Sequence, residues 1–330
     1  MSGSPSLALI IPAYNEALTI VEVIRCFHAA LPQAEIVVVD NRSSDNTGDL
    51  ARQTLAECGA HGRVLFERRP GKGNAVRRAF HDVIADVYIM IDADMTYHPE
   101  DLPAMLAPVL SGEADLVVGD RLSTGDYRKE NKRPFHNLGN GLVKGLINWL
   151  FKVDLRDVMS GYRVMTRRFV EHTPILRAGF ELETESTIFA LDNRFRIVEV
   201  PIKYTDRPEG SFSKLNTFHD GARVIATIFR ILRDYRPSVF FGTISVLLIV
   251  AALLAGAFPI YDYIKFRYVY RVPMAILATG LMLLGMMFAS ISLILTSINN
   301  YFRALFEMQM MRRGEGSISS ANPPPDASQS

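Results

Sequence analysis

The chain has 330 residues, with 36 Lys and Arg against 35 Asp and Glu and a formal net charge of +1. It is long enough for a substantial core in more than one unit, and its near-neutral charge leaves no electrostatic case for a nucleic-acid partner. Two cysteines, Cys26 and Cys58, form neither a disulfide framework nor a metal-ligand spacing, and read as free thiols.

The N-terminal stretch MSGSPSLALIIPAYNE has no basic n-region, and its apolar run is too short for a secretory signal. The first residues are therefore expected in the cytosol. Leu7–Ile11 predicts a short apolar strand ending in Pro12-Ala13-Tyr14-Asn15-Glu16, with Asn15 placed to cap the next helix. Glu35–Asp40 predicts a second buried strand that ends in a carboxylate. The polar run NRSSDNT then leads into a helix over Thr47–Cys58. Arg63–Glu67 is a third strand, followed by RRPGKGNA and a helix over Ala75–Ile84. Val87–Ile91 is an unbroken apolar run that breaks off at Asp92 and Asp94. Two carboxylates at the end of a buried strand are costly unless something receives them, and that end is where open α/β sheets bind ligands. Two readings stay open: a divalent cation carrying a phosphate, or aspartates that cap the helix running from Pro99 to about Leu110. Asp115–Val118 is a fifth strand, followed by Gly119-Asp120-Arg121.

This alternation of strand and helix predicts an α/β fold, a mostly parallel, doubly wound sheet with helices on both faces. All the polar clusters then fall on one edge and form a single composite site. Further on, Ser123–Arg133 reads as a mobile polar loop and Asn140–Phe151 as an apolar-rich helix. A strand is expected over Ser160–Thr166, a helix over Glu181–Asn193 and a strand over Ile197–Lys203, before the polar loop YTDRPEGSFSKLNT.

Thr217–Tyr235 predicts an amphipathic helix, lying at the headgroup level of a membrane or packed on the preceding domain. Ser238–Ile260 and Pro273–Ile298 contain no charged residue, and each can cross a hydrocarbon core of about 30 Å as a helix. The alternative is a pair of buried core helices. The aromatic loop Tyr261–Val272 between them suits an interface belt. Two spans would return the C-terminus to the side of the N-terminal domain. The expected organisation is a catalytic domain over 1–214, a juxtamembrane helix over 215–237, two spans within 238–300 and a cytosolic, largely disordered tail over 301–330.

The strand ends together offer a recognisable chemistry. Pro12, Tyr14 and Glu16 supply a flat apolar surface and an acceptor, and Asp40 a second acceptor. Gly71-Lys72-Gly73-Asn74 allows close backbone approach and adds a cation. Asp92 and Asp94 can hold Mg2+ or Mn2+ whose shell is completed by diphosphate oxygens. GKGN is not a Walker loop, and no GxGxxG follows the first strand, which counts against a dinucleotide.

IPAYNE, VVVDNRSSDNT, GKGNA, DADMTYHPEDL and GDR, in that order, resemble the inverting family-2 glycosyltransferases of the GT-A, Rossmann-like fold. The run DVMSGYR and the stretch EVPIKYTDRPEGSFSKL resemble the polyprenyl-phosphate branch. That branch contains dolichyl-phosphate mannose synthases and bacterial undecaprenyl-phosphate glucosyltransferases of the GtrB type. The resemblance implies that Pro12, Tyr14, Glu16 and Asp40 bind the base and ribose, and that Lys72, Gly73 and Asn74 complete that pocket. It implies that Asp92 and Asp94 bind the metal, with Asp94 the direct ligand. Arg121 and Arg133 fall near the diphosphate and the acceptor phosphate. Asp157, Ser160, Gly161 and Arg163 match a DxxSGxR run whose Asp faces the reaction centre, and Arg207, Ser211 and Lys214 a loop that closes over phosphates. Asp94, Asp157 and Arg121 are the implied catalytic residues. Mannose synthases often carry Gln where this chain has Thr96, which leaves a third metal ligand unassigned.

The implied activity is hexosyl transfer from UDP-glucose to undecaprenyl phosphate on the cytosolic face of a bacterial inner membrane, by an integral membrane protein whose oligomeric state stays open. GDP-mannose is the alternative donor. A non-catalytic membrane adaptor that keeps the sheet is the rival of another class, and loss of a DxD aspartate would have marked it. A processive polysaccharide synthase is disfavoured, because the single tryptophan, Trp149, lies in no QxxRW-like context. Asp157 could equally be structural, pairing with Arg163 or capping a turn, and Glu183 and Glu185 either a base or a solvated helix face.

Overall fold

The computed structural model describes residues 4–123, 134–175, 182–208 and 220–319, and places side chains within them except over 134–140, 220–227 and 312–319. It divides into two compact units, Met1–Val224 and Ile225–Ser330.

The first unit is built on a seven-stranded sheet. Its strands are β1 Leu7–Ala13, β2 Glu35–Asp40, β3 Gly62–Phe66, β4 Val87–Met90, β5 Leu116–Asp120, β6 Arg163–Thr166 and β7 Ile197–Pro201. Their order is β3-β2-β1-β4-β6-β5-β7. β1 pairs in parallel with β2 and β4, β2 with β3, and β5 with β7. β6 runs antiparallel to both β4 and β5. The sheet is therefore mostly parallel, as the strand–helix alternation predicts. The reversed strand was not readable, because a strand of four residues carries no mark of its direction.

Continuous apolar strands demand cover on both faces. Ile10, Val37, Val39 and Ile89 are fully buried. The helices α1 Ile20–Ala30, α2 Thr47–Glu57, α3 Lys72–Asp82 and α4 Leu102–Leu110 provide the cover. α1 turns Ile20, Val23, Ile24 and Phe27 inward at helical spacing, in one cluster with Leu9, Ile11 and Ile89. Asn15 does not cap α1. Its backbone is left-handed at φ 52°, and its side chain accepts from Ser44 N at 2.7 Å instead. That bond ties the β1 end to the β2 end. The helices α5 Pro134–Phe151, α6 Arg167–His172 and α7 Leu182–Asp192 complete the unit. The amphipathic segment is helical as α8, Asp220–Tyr235.

The order β2-β1-β4 makes the C-terminal ends of β1 and β4 a topological switch point, where the chain leaves β1 to opposite sides. Glu16 follows β1 there, and Asp92 and Asp94 follow β4. Thr19 Oγ1 donates to Ala93 O at 2.6 Å and stitches these two ends together.

In the second unit, helices α9 Pro237–Phe266 and α10 Val272–Ser319 are joined by a short turn. Both are long and apolar enough to cross a membrane. Small residues let them pack: Ser245 Oγ donates to Gly285 O at 2.8 Å, and a Cβ on Gly285 would lie 2.7 Å from Ile249. Leu254, Ile276 and Leu293 are about two-thirds exposed or more, at 66%, 68% and 71%. Buried core helices would not present such faces. α10 continues through Ser319, so the tail expected to be disordered from residue 301 is helical that far. YFRALFEMQMMRR is rich in good helix formers, so propensity carries the helix past the apolar span.

Candidate active site

At the β4 end the chain turns sharply: Met95 takes a left-handed φ of 61°. This lets Thr96 fold back onto Asp94. Thr96 Oγ1 donates to Asp94 Oδ1 at 2.7 Å, so Thr96 orients an aspartate. Arg207 reaches the other Asp94 oxygen at 2.6 Å and stands 3.7 Å from Glu16. Asp94 is buried, and its carboxyl is pushed above the usual range by that burial and by the charge of Asp92, against the pull of Arg207. The loop that carries Arg207 is zipped to the Asp94 loop. Tyr97 bridges Tyr204, and Thr205 N donates to Thr96 O at 3.3 Å.

Asp92 is held from a second side. Lys72 opens α3 after Gly71 and places its Nζ against Asp92 Oδ1 and, at 2.6 Å, against Glu183 Oε1. Burial alone would push this ammonium down. Asp92 and Glu183 more than offset that and hold it above its ordinary value. Glu183 is thus neither solvated nor free. Among these six groups four carboxylates, Glu16, Asp92, Asp94 and Glu183, meet two cations, Lys72 and Arg207. Asp92 and Asp94, one residue apart at one strand end, are the oxygen donors that a hard divalent cation takes. Among the described residues no three His, Cys, Asp or Glu side chains are grouped to share an ion. Of these residues Asp92 and Asp94 would hold the ion, with a ligand's oxygens or water completing its shell.

At the ends of β1 and β2, Tyr14 is exposed and Pro12 half-buried in β1. Asp40 is buried and its Oδ1 accepts from Ser43 N at 2.9 Å. A Cβ on Gly48 would approach Asp40 Oδ2 to 2.7 Å, so a glycine in the first turn of α2 leaves room for the carboxylate. The GKGN loop is held by a residue that sequence reasoning passed over. Asn41 accepts from Gly71 N at 2.7 Å and donates to Arg69 O at 2.6 Å. Gly73 is buried, and Asn74 donates to Pro70 O at 2.9 Å, bracing the same turn.

A third group forms across β5. Arg121 grips Asp157 in a two-pronged pair at 2.7 and 3.0 Å, and lies over the Tyr204 ring. Two acids set this pair in place. Glu199 accepts from Asp157 N at 2.7 Å, and Asp120 from Leu122 N at 2.8 Å. Neither was legible beforehand, because the partners are 42 residues apart in the first instance and backbone amides in both. The Asp157–Arg163 pairing weighed from the sequence gives way to Asp157–Arg121.

Ser160 and Arg163 are corrected. Both are fully enclosed, so neither side chain faces an acceptor phosphate. Arg163 donates to Ser160 O, Val158 O and Ser186 Oγ, each at 2.9 Å, and burial pushes its guanidinium down to about 10. It holds the DVMSG turn from beneath. Arg163→Met is expected to lower unfolding stability by about 2–4 kcal/mol, because it orphans two buried carbonyls. A denaturant titration of the detergent-solubilised chain measures this. Gly161 of the same turn backs onto the site: its N donates to Tyr97 Oη at 2.8 Å, and a Cβ there would lie 2.5 Å from Asp92 Oδ2. Arg133, Ser211 and Lys214 lie outside the described residues, as does the loop 124–133.

Residues 8–173 match the family described as Glycosyl transferase family 2. The glycosyltransferase AglJ of Haloferax volcanii is 31% identical over 80% of this chain and 84% of its own length. The polyprenol monophosphomannose synthase of Mycolicibacterium smegmatis is 30% identical over 61% of this chain and 78% of its own. Among solved structures, the glucosyl-3-phosphoglycerate synthase of Mycobacterium tuberculosis, crystallised with Mn2+, UDP-glucose and glycerol 3-phosphate, superposes with a TM-score of 0.52. It is 23% identical and covers 69% of this chain and 79% of its own. The strand order, the acidic end of β4 and these matches agree: the chain is a glycosyltransferase and belongs to glycosyl transferase family 2.

Proposed function

We propose that this chain transfers a hexosyl group from a nucleoside-diphosphate sugar to a polyprenyl phosphate, with inversion at the anomeric carbon. The observation that carries the reading is the strand-end cluster, in which Asp92 and Asp94 stand together at the β4 end, interleaved with Lys72 and Arg207. The relative named as a polyprenol monophosphomannose synthase and the two helices of span length support a lipid acceptor. The surface at Tyr14 and Pro12, with Asp40 and the Asn41-braced GKGN turn, would receive the nucleoside.

In the reaction, an oxygen of the lipid phosphate forms a bond to the anomeric carbon while the bond to the diphosphate breaks, the electron pair leaving with the diphosphate. A phosphate oxygen is already anionic near neutral pH, so no strong base is needed. Arg121, pre-oriented by Asp157, and Arg207 would meet phosphate charge in the two-pronged geometry that guanidinium favours. Arg133, Ser211 and Lys214 are assigned to the same task. Asp92 and Asp94 would hold Mg2+ or Mn2+, which when bound neutralises diphosphate charge as it develops. The catalytic unit would face the cytosol, tethered by its spans to the inner membrane of a bacterium.

UDP-glucose with undecaprenyl phosphate is the first pair to test, since the fold neighbour was crystallised with UDP-glucose and Mn2+. GDP-mannose is the second, given the phosphomannose synthase among the relatives. A non-catalytic adaptor is disfavoured, because both strand-end aspartates are present and engaged. Purified full-length chain with undecaprenyl phosphate should release UDP or GDP from one donor of a panel and yield a mild-acid-labile glycolipid. Release from none of them would overturn the reading.

A further inference from the structure

Glu183 has no part in the reaction as described, because a phosphate acceptor needs no base. Yet it is only 4% exposed. It stands in the first turn of α7, 111 residues from Lys72, whose Nζ it meets at 2.6 Å. The Lys72 side chain is itself 9% exposed, with Asp92 on its other side. An ammonium is a compact charge on a flexible stem and follows whatever partner it is given. With Asp92 alone it would sit on that carboxylate and neutralise it. Shared with Glu183, it is fixed between two acids, and Asp92 keeps charge for a cation and its diphosphate. Gly161 leaves the room for this arrangement: a Cβ there would come within 3.1 Å of Lys72 Nζ.

We infer that Glu183 is a positioning residue for the donor, holding Lys72 between itself and Asp92 and touching no reacting atom. The inference rests on the nucleotide-sugar reading of this site.

The test uses full-length chain and the binding of UDP and GDP, each with Mn2+, followed by calorimetry alongside donor kinetics. Glu183→Gln is expected to weaken nucleotide binding about tenfold and raise the donor KM equally, with kcat within about threefold. Glu183→Asp, which keeps the charge at shorter reach, should recover part of the loss. In a Lys72→Met background, Glu183→Gln should cause no further loss, because its effect runs through Lys72. A further tenfold loss in that background would mean direct ligand contact and overturn the inference. So would a fall in kcat of about a hundredfold at unchanged donor KM, the mark of a base. A lowered melting temperature with unchanged nucleotide affinity would reduce Glu183 to a structural group and overturn it as well. Binding of neither nucleotide by the unaltered chain would overturn the site reading and this inference with it.

Discussion

Asp94→Ala is expected to lower sugar transfer by about a thousandfold or more while the chain folds normally. Asp94 is enclosed, with Thr96 on one oxygen and Arg207 on the other. Its carboxyl is pushed up by burial and by Asp92, so its charge is tolerated in the fold rather than a source of stability. Removing that charge should therefore leave the melting temperature level or raise it. Asp94→Asn keeps the shape and an acceptor for Thr96 but loses the charge, and should be as inactive as the alanine variant. Mn2+ binding followed by electron paramagnetic resonance, in the presence of UDP, should fall in parallel with transfer. Transfer by Asp94→Ala above about a tenth of the normal rate would remove Asp94 from the centre of the site.

Gly161→Ala is the second large effect, expected at a hundredfold loss of transfer or about that. The added methyl would sit 2.5 Å from Asp92 Oδ2 and 3.1 Å from Lys72 Nζ. Both neighbours are side-chain ends, which must shift to relieve the contact. Asp92 is held by Lys72, and the turn that carries Gly161 is held by Arg163 below and Tyr97 beside it. The clash should displace Asp92, so the loss is expected in metal and nucleotide affinity as well as in kcat. Donor titrations at saturating Mn2+ measure it. A variant with unaltered nucleotide affinity would show that the turn can yield, and that Asp92 is not held as described.

Much of the site was legible before the fold. EIVVVD and VYIMIDAD are apolar runs ending in carboxylates, and the alternation of strand and helix puts such ends on one edge. That arithmetic placed Glu16, Asp40, Lys72, Asp92 and Asp94 together from residue type and period alone. What escaped it were pairings set by distance in space. Glu183 reads as one polar residue among several at a helix start, and nothing local says that it faces Lys72. Asn41 and Glu199 bond backbone amides of other loops, and backbone amides have no signature in a sequence. Arg163 was misread for the same reason. A basic residue in a run that resembles the family's DxxSGxR reads as a phosphate ligand, until the fold shows it closed over by its own turn.

The sequence by itself determined the class of this protein. Hydrophobic periodicity dictates parallel strands covered on both faces, and two uncharged runs have the length of a bilayer core. Both follow from local chemistry, since burial and span length are summed along the chain. Only the tertiary structure decided which charges meet. It turned Thr96 onto Asp94, gave Arg121 to Asp157, and shared Lys72 between Asp92 and Glu183. Charge pairing depends on separations of a few ångströms between residues far apart in the chain. Those separations exist only after the sheet has closed, with β6 inserted antiparallel between β4 and β5.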